Sequence, residues 1–116
     1  MHEEFSIEIE TQEEPEVSIV RITGSLDAHT FEKLEETLNQ ILAQKQFRIV
    51  ADLSKVEYIS SAGAGVFIGA LSEAQEHDGN IVLLNPQGSV REGLELLGLT
   101  QIFKVVDTEE AALAAF

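Results

Sequence analysis

Apolar residues recur along this chain with a period that switches between two and three-to-four, and that switching limits the fold more than any other feature. From Glu4 to Thr11 the period is two, with Phe5, Ile7 and Ile9 alternating with Ser6, Glu8 and Glu10. This is the pattern of a strand with one buried face. Gln12–Pro15 reads as a turn, and Val17–Thr23 alternates again before Gly24, which is expected to end the run. In that second run Val17, Ile19 and Arg21 share one face, and Ser18, Val20 and Ile22 the other. The two runs predict a hairpin. From Thr30 to Gln44 the period changes: Phe31, Leu34, Leu38, Ile41 and Leu42 form one stripe of an amphipathic helix, with Glu32, Lys33, Glu35 and Glu36 on its wet side. Asp27 or Thr30 is expected to cap it.

Phe47–Leu53 is a β-rich run, and Ser54–Ile59 reads as a second, weaker strand or a loop. Ser60 and Ser61 then precede a small-residue helix over about Ala62–His77, stopped by Asp78-Gly79. Asn80–Leu84 is another buried strand. Ser89 and Glu92 have capping-box spacing for a helix that ends at Leu97-Gly98. Ile102–Val106 is a last strand, and Asp107 to Glu110 a second capping box before an Ala-rich helix over Thr108–Ala115. The order ββαβαβαβα predicts an α/β fold, a mixed central sheet of four to five strands packed with about four helices. Residues 1–116 read as a single domain, a length that can bury a core without staples.

Composition narrows the function classes. With no cysteine, disulfide scaffolds, thiolate metal sites and cysteine nucleophiles are excluded. Against 21 acidic residues stand 7 basic ones, a net charge of −14, which disfavours nucleic acid and anionic membranes as partners. Seven acids precede the first basic residue, Arg21: Glu3, Glu4, Glu8, Glu10, Glu13, Glu14 and Glu16. An acidic N-terminus is not a secretory signal. The charge-free stretch Tyr58–Leu71 carries two serines and three glycines, and it is shorter than the roughly 20 apolar residues of a membrane helix. A soluble cytoplasmic protein is expected.

The distinctive segment is Asp52–Gly65, DLSKVEYISSAGAG. A strand leads through a turn to two serines at a helix start. One reading makes a serine a plain N-cap. The other makes it a phosphate acceptor, because a helix start offers unpaired N–H donors and partial positive charge. Phosphoserine adds about −1.5 to −2 charge, here in the middle of the charge-free run, where it can turn off an apolar docking surface without unfolding the domain. Gly63, Gly65 and Gly69 either admit a close partner or pack against the sheet.

Three stretches resemble the STAS domain family, specifically the bacterial anti-sigma factor antagonists: Val20–Thr30 (VRITGSLDAHT), Asp52–Gly65, and Val82–Phe103 with its LLGLTQIF. The resemblance spans nearly the whole chain and implies a STAS-like fold. It further implies a binding module rather than an enzyme, with no cofactor. In the family a serine kinase that is also the anti-sigma factor phosphorylates the antagonist. The unphosphorylated form binds that kinase and frees the sigma factor, and a phosphatase resets the cycle. By resemblance Ser61 is the favoured phosphorylation site, with Ser60 second, and Asp27, Ser61, Gly63 and Gly65 meet the partner. A monomer is the simplest state for such a reversible partner. The chain departs from the family pattern at Ser60, where many relatives have Asp, and at Ala64, where many have Leu.

Rival readings find less support. A serine hydrolase built on Ser61, His29 and Asp27 lacks the G-x-S-x-G elbow, since Ile59 precedes Ser61 by two. The Gly63-x-Gly65 pair lacks the Lys-Ser/Thr of a phosphate-binding loop. His2, His29 and His77 have no metal-ligand spacing and read as surface residues. The serious alternative is a STAS scaffold subunit of a transport or signalling complex, whose serine is never phosphorylated.

Overall fold

The computed structural model describes residues 4–116, so His2 and Glu3 lie outside the described residues. Five strands form one sheet in sequence order. β1 (Ser6–Gln12) runs antiparallel to β2 (Val17–Leu26), while β2, β3 (Arg48–Ile59), β4 (Asn80–Leu84) and β5 (Lys104–Val106) are parallel to one another. α1 (Phe31–Ala43), α2 (Ser61–Glu76) and α3 (Gly88–Leu96) make the crossovers, with a short 3₁₀ turn at Leu99–Gln101, and α4 (Glu109–Leu113) follows β5. The α/β mixed sheet with four helices is the one the apolar periods predict.

The parity of the strands sorts the core into two layers. Val20 and Ile22 of β2, Ile49, Ala51 and Leu53 of β3, and Ile81 and Leu83 of β4 point one way. They meet Leu34, Leu38, Ile41 and Leu42 of α1, Phe67 and its neighbours on α2, and Val90 and Leu94 of α3. The intervening residues Val17, Ile19, Val50, Val82 and Leu84 point the other way and are covered by Ala112, with Leu113, Ala115 and Phe116 packed around it. Central parallel strands are thus apolar on both faces, as burial from both sides requires. The α1 stripe is buried as its spacing predicts. Phe67 is fully buried and meets Phe103 edge to face, with ring centroids 6.4 Å apart.

Several boundaries differ from expectation, each because tertiary pairing overrides a local signal. Gly24 does not end β2. It sits inside the strand at φ +97°, beside a register slip between Gly24 and Ser25, and pairing continues to Leu26↔Ile59. An irregularity in a pleated strand is one of the places where glycine is at home. Ser54–Ile59 is no separate element, because the extended β2 keeps β3 continuous to Ile59. β5 is only three residues, and Ile102 precedes it at 49% exposure. Ile9, expected on a buried face, is 48% exposed, whereas Phe5 and Ile7 reach the core.

The expected caps also shift. α3 starts two residues early, with Gln87 as N-cap, so Ser89 lies in the first turn and its hydroxyl donates instead to the Glu57 carbonyl. At α4 the capping residue is Thr108 rather than Asp107: its hydroxyl oxygen accepts the Ala111 N–H at 3.1 Å. At α1 the N-cap is Thr30, one of the two residues expected there, although it makes no side-chain cap hydrogen bond.

Candidate functional site

The site is the junction where β3 ends and α2 begins. Ser60 is extended (φ −94°, ψ 171°), and its hydroxyl oxygen accepts the Gly63 N–H at 3.3 Å. Its carbonyl accepts the Ala64 N–H at 2.9 Å, and its own N–H donates to the Leu26 carbonyl at 2.8 Å. Ser60 is therefore the N-cap. Ser61 is the first helical residue, one position before the expected start at Ala62. It is exposed, and its hydroxyl has no hydrogen-bond partner among the described residues. The paired serines thus divide two jobs that the sequence leaves open between them.

The Leu26–Ser60 hydrogen bond brings the Asp27 turn to the same surface. The Asp27 carbonyl accepts the Thr30 and Phe31 N–H groups at 3.2 and 3.0 Å, and its carboxylate accepts the His29 backbone N–H at 2.8 Å. The Thr30 hydroxyl donates to the Ser25 carbonyl at 2.7 Å and accepts the Asp27 N–H at 3.0 Å. Asp27 and the N-cap residue Thr30 together knot the turn. The Asp27–His29 contact is made by the backbone, and among the described residues no hydrogen bond joins a ring nitrogen to the Ser61 hydroxyl.

The glycines of α2 split. A Cβ on Gly63 would lie 3.1 Å from Leu26 Cβ and 3.4 Å from the Leu26 carbonyl oxygen, so this glycine lets the helix start close on β2. Gly65 and Gly69 have nothing within 4 Å and face a shallow groove bounded by Leu38, Asn39 and Glu35 of α1 and Glu73 of α2. Ser61, Gly65, Ile68, Gly69 and Ser72 are all exposed. Their spacing of three and four places them on one helical face. The first turn of α2 carries no acidic and no basic side chain. An uncharged, narrow stripe therefore starts at the Ser61 hydroxyl on a protein of net charge −14.

Two residues beside this stripe are not singled out by the sequence reading. Tyr58 is 55% exposed two residues before the cap, and Ile68 is 42% exposed. The available signal was the chain's single tyrosine inside its longest charge-free run. Of the described histidines, His29 is exposed in the Asp27 turn, and His77, also exposed, stacks on Phe47 with ring centroids 4.1 Å apart.

The strongest electrostatic feature sits on the opposite sheet face. The Arg21 guanidinium donates to Asp52 at 2.9 Å, Glu10 at 2.8 Å and Glu109 at 2.9 Å, joining β2 to β3, β1 and α4. Its hydrogen bonds with Glu10 and Glu109 raise the Arg21 pKa, and the same contact with Arg21 lowers that of Glu10. Asp52, nearly buried, is satisfied further by the Ser54 N–H and hydroxyl at 3.0 and 2.7 Å.

Residues 8–112 match the STAS domain. The chain belongs to the STAS domain family. Its relatives align along most of their own length. This STAS domain is 35% identical to BtrV of Bordetella bronchiseptica over 98 residues, 84% of each chain. It is 29% identical to the anti-sigma-B factor antagonist of Listeria monocytogenes over 105 residues, 90% of this chain and 91% of that one. Among solved structures it superposes on the unphosphorylated anti-sigma factor antagonist SpoIIAA with TM-score 0.77 and 27% identity, covering 95% of this chain and 93% of that one. The phosphorylated form of SpoIIAA, a Bacillus cell fate determinant, superposes with TM-score 0.69 and 26% identity, over 97% and 98% of the two chains. No described helix of this STAS domain is long and apolar enough to cross a membrane.

Proposed function

We infer that this protein is an anti-sigma factor antagonist working by partner switching. Unphosphorylated, it binds a serine kinase that doubles as an anti-sigma factor and so frees a sigma factor. Phosphorylated on Ser61, it lets the kinase go, and a phosphatase restores it. It acts as a cytoplasmic monomer and is a substrate, not an enzyme. The Ser61 oxygen forms the new bond to the γ-phosphorus of ATP, the bond to ADP breaks, and the hydroxyl proton leaves to a base on the kinase.

One observation carries this reading. At the start of α2 the cap is supplied by Ser60, which leaves the adjacent Ser61 hydroxyl exposed and without a partner among the described residues. A phosphate there costs the helix no hydrogen bond and meets the unpaired N–H groups of the helix start. Its charge of about −1.5 to −2 falls at the head of the uncharged stripe of Gly65 and Ile68, with Asp27 alongside. A surface that docks by apolar contact is thereby made costly to bury. The relatives named as anti-sigma factor antagonists, one of them solved with and without phosphate, support the same reading.

The test is capture from source-cell lysate with wild-type, Ser61→Ala and Ser61→Asp baits. Recovery of a serine kinase by wild type and Ser61→Ala, and its loss with Ser61→Asp, is the expected result. Equal recovery of a transporter or receptor subunit by all three baits overturns it in favour of a scaffold.

A further inference from the structure

The C-terminal segment is attached in an unusual way. α4 has five residues, well below the roughly 12–15 at which a helix persists alone in water. Its hold on the body comes from Ala112, buried over the apolar half-face of β2, β3 and β4, from partly buried Leu113, Ala115 and Phe116, and from its first turn. That turn is tied down by charge. Glu109 meets Arg21 at 2.9 Å, and Asp107 meets Arg91 at 2.8 Å. Sheet pairing ends at Leu84↔Val106, immediately before these ties. Beyond them the chain runs to its last described residue with no further strand.

We propose that residues 107–116 form an electrostatically latched strap. It opens as a unit about the end of β5, with Glu109–Arg21 and Asp107–Arg91 as its latches, and opening uncovers the half-face of Val17, Ile19, Val50, Val82 and Leu84. Three features make this a separate cooperative unit. Lifting it breaks no strand pair. Arg21 keeps Asp52 and Glu10 when Glu109 leaves, so no charge is stranded in the sheet. The apolar contact it gives up is that of one small buried side chain, Ala112, and of partly buried Leu113, Ala115 and Phe116. Segments of few buried contacts, tied by exposed ion pairs, open below the global unfolding free energy. This inference is independent of any phosphorylation at Ser61.

Native-state amide hydrogen exchange on the full chain tests it. The reporters are the Ala112 and Ala114 N–H groups, bonded to the Thr108 and Glu110 carbonyls at 3.0 Å each. Glu109→Gln and Asp107→Asn should each speed their exchange by up to about five-fold, the range of an exposed ion pair. The amides of Val82 and Leu83 in β4 should keep their wild-type rates. Raising salt to about 1 M, where the screening length is about 3 Å, should speed the strap amides of wild type but add little in the doubly substituted chain. Strap and β4 amides accelerating together would mean global opening and would overturn the proposal. So would unchanged strap exchange in both variants.

Discussion

The backbone N–H of Ser60 donates to the Leu26 carbonyl at 2.8 Å, and this bond fixes where Ser61 stands. It extends the parallel register of β2 and β3 by one step past Leu26↔Ile59. The chain then turns into α2 with Ser60 spent as the cap, Ser61 outside it and the Asp27 turn beside it. The missing side chain of Gly63 lets this closure happen against Leu26.

The two serines should separate cleanly on substitution. Ser60→Ala removes the acceptor of the Gly63 N–H and should cost about 1 kcal/mol, the usual loss for a cap. Ser61→Ala, at an exposed hydroxyl without a partner, should stay within about 0.5 kcal/mol of wild type. Denaturant midpoints at constant slope measure both. A larger loss at Ser61 than at Ser60 would contradict the assignment of cap and acceptor.

The glycines should fall into three classes. Gly65→Ala fills open space on a helix and should stabilise the fold by about 0.5–1 kcal/mol, while weakening capture of the partner if Gly65 lies in the docking face. Gly63→Val crowds Leu26 and should cost about 1–3 kcal/mol. Gly79→Ala is the most severe, because its Cβ would fall 1.9 Å from the Phe47 carbonyl oxygen, a backbone atom that also accepts the Asn80 N–H. We expect about 3 kcal/mol or more, at the upper end of overpacking. Thermal unfolding of the three variants should rank them in that order.

Acid should unfasten the Arg21 cluster. Contact with Arg21 holds the Glu10 carboxyl below its ordinary value of 4.5. A depressed folded-state pKa gives stability that is present above that ordinary value and lost as pH falls through the lowered one. Wild type should therefore lose more stability than Glu10→Gln as pH drops from about 5 to about 3. Because the pair is exposed, the difference should shrink at high salt. Parallel pH profiles of denaturant midpoint for the two proteins would show that Glu10 takes no part.

Much was legible before any coordinates. The period-two runs Glu4–Thr11 and Val17–Thr23, the α1 stripe from Leu34 to Leu42, and Asn80–Leu84 fall in the kinds of element their spacing predicts, with Ile9 left exposed, because the period of a run follows from local geometry. The serine pair was legible too, as a helix start inside a charge-free run. What was misplaced depended on neighbours distant in sequence. β2 passes through Gly24 because β3 offers it partners as far as Ile59. Ser89 gives up a cap role because the Glu57 carbonyl lies within its reach.

The sequence by itself determined the fold class, the order of elements, the acidic character and the serine pair at a helix start, since all of these follow from local spacing and composition. Only the tertiary structure decided which serine is free. The Leu26 carbonyl, 34 positions before Ser60, sets the phase of the turn, and a shift of one residue would exchange cap and acceptor. The same is true of Arg21, whose three carboxylate partners on β1, β3 and α4 are gathered by sheet pairing and helix docking, not by any spacing along the chain.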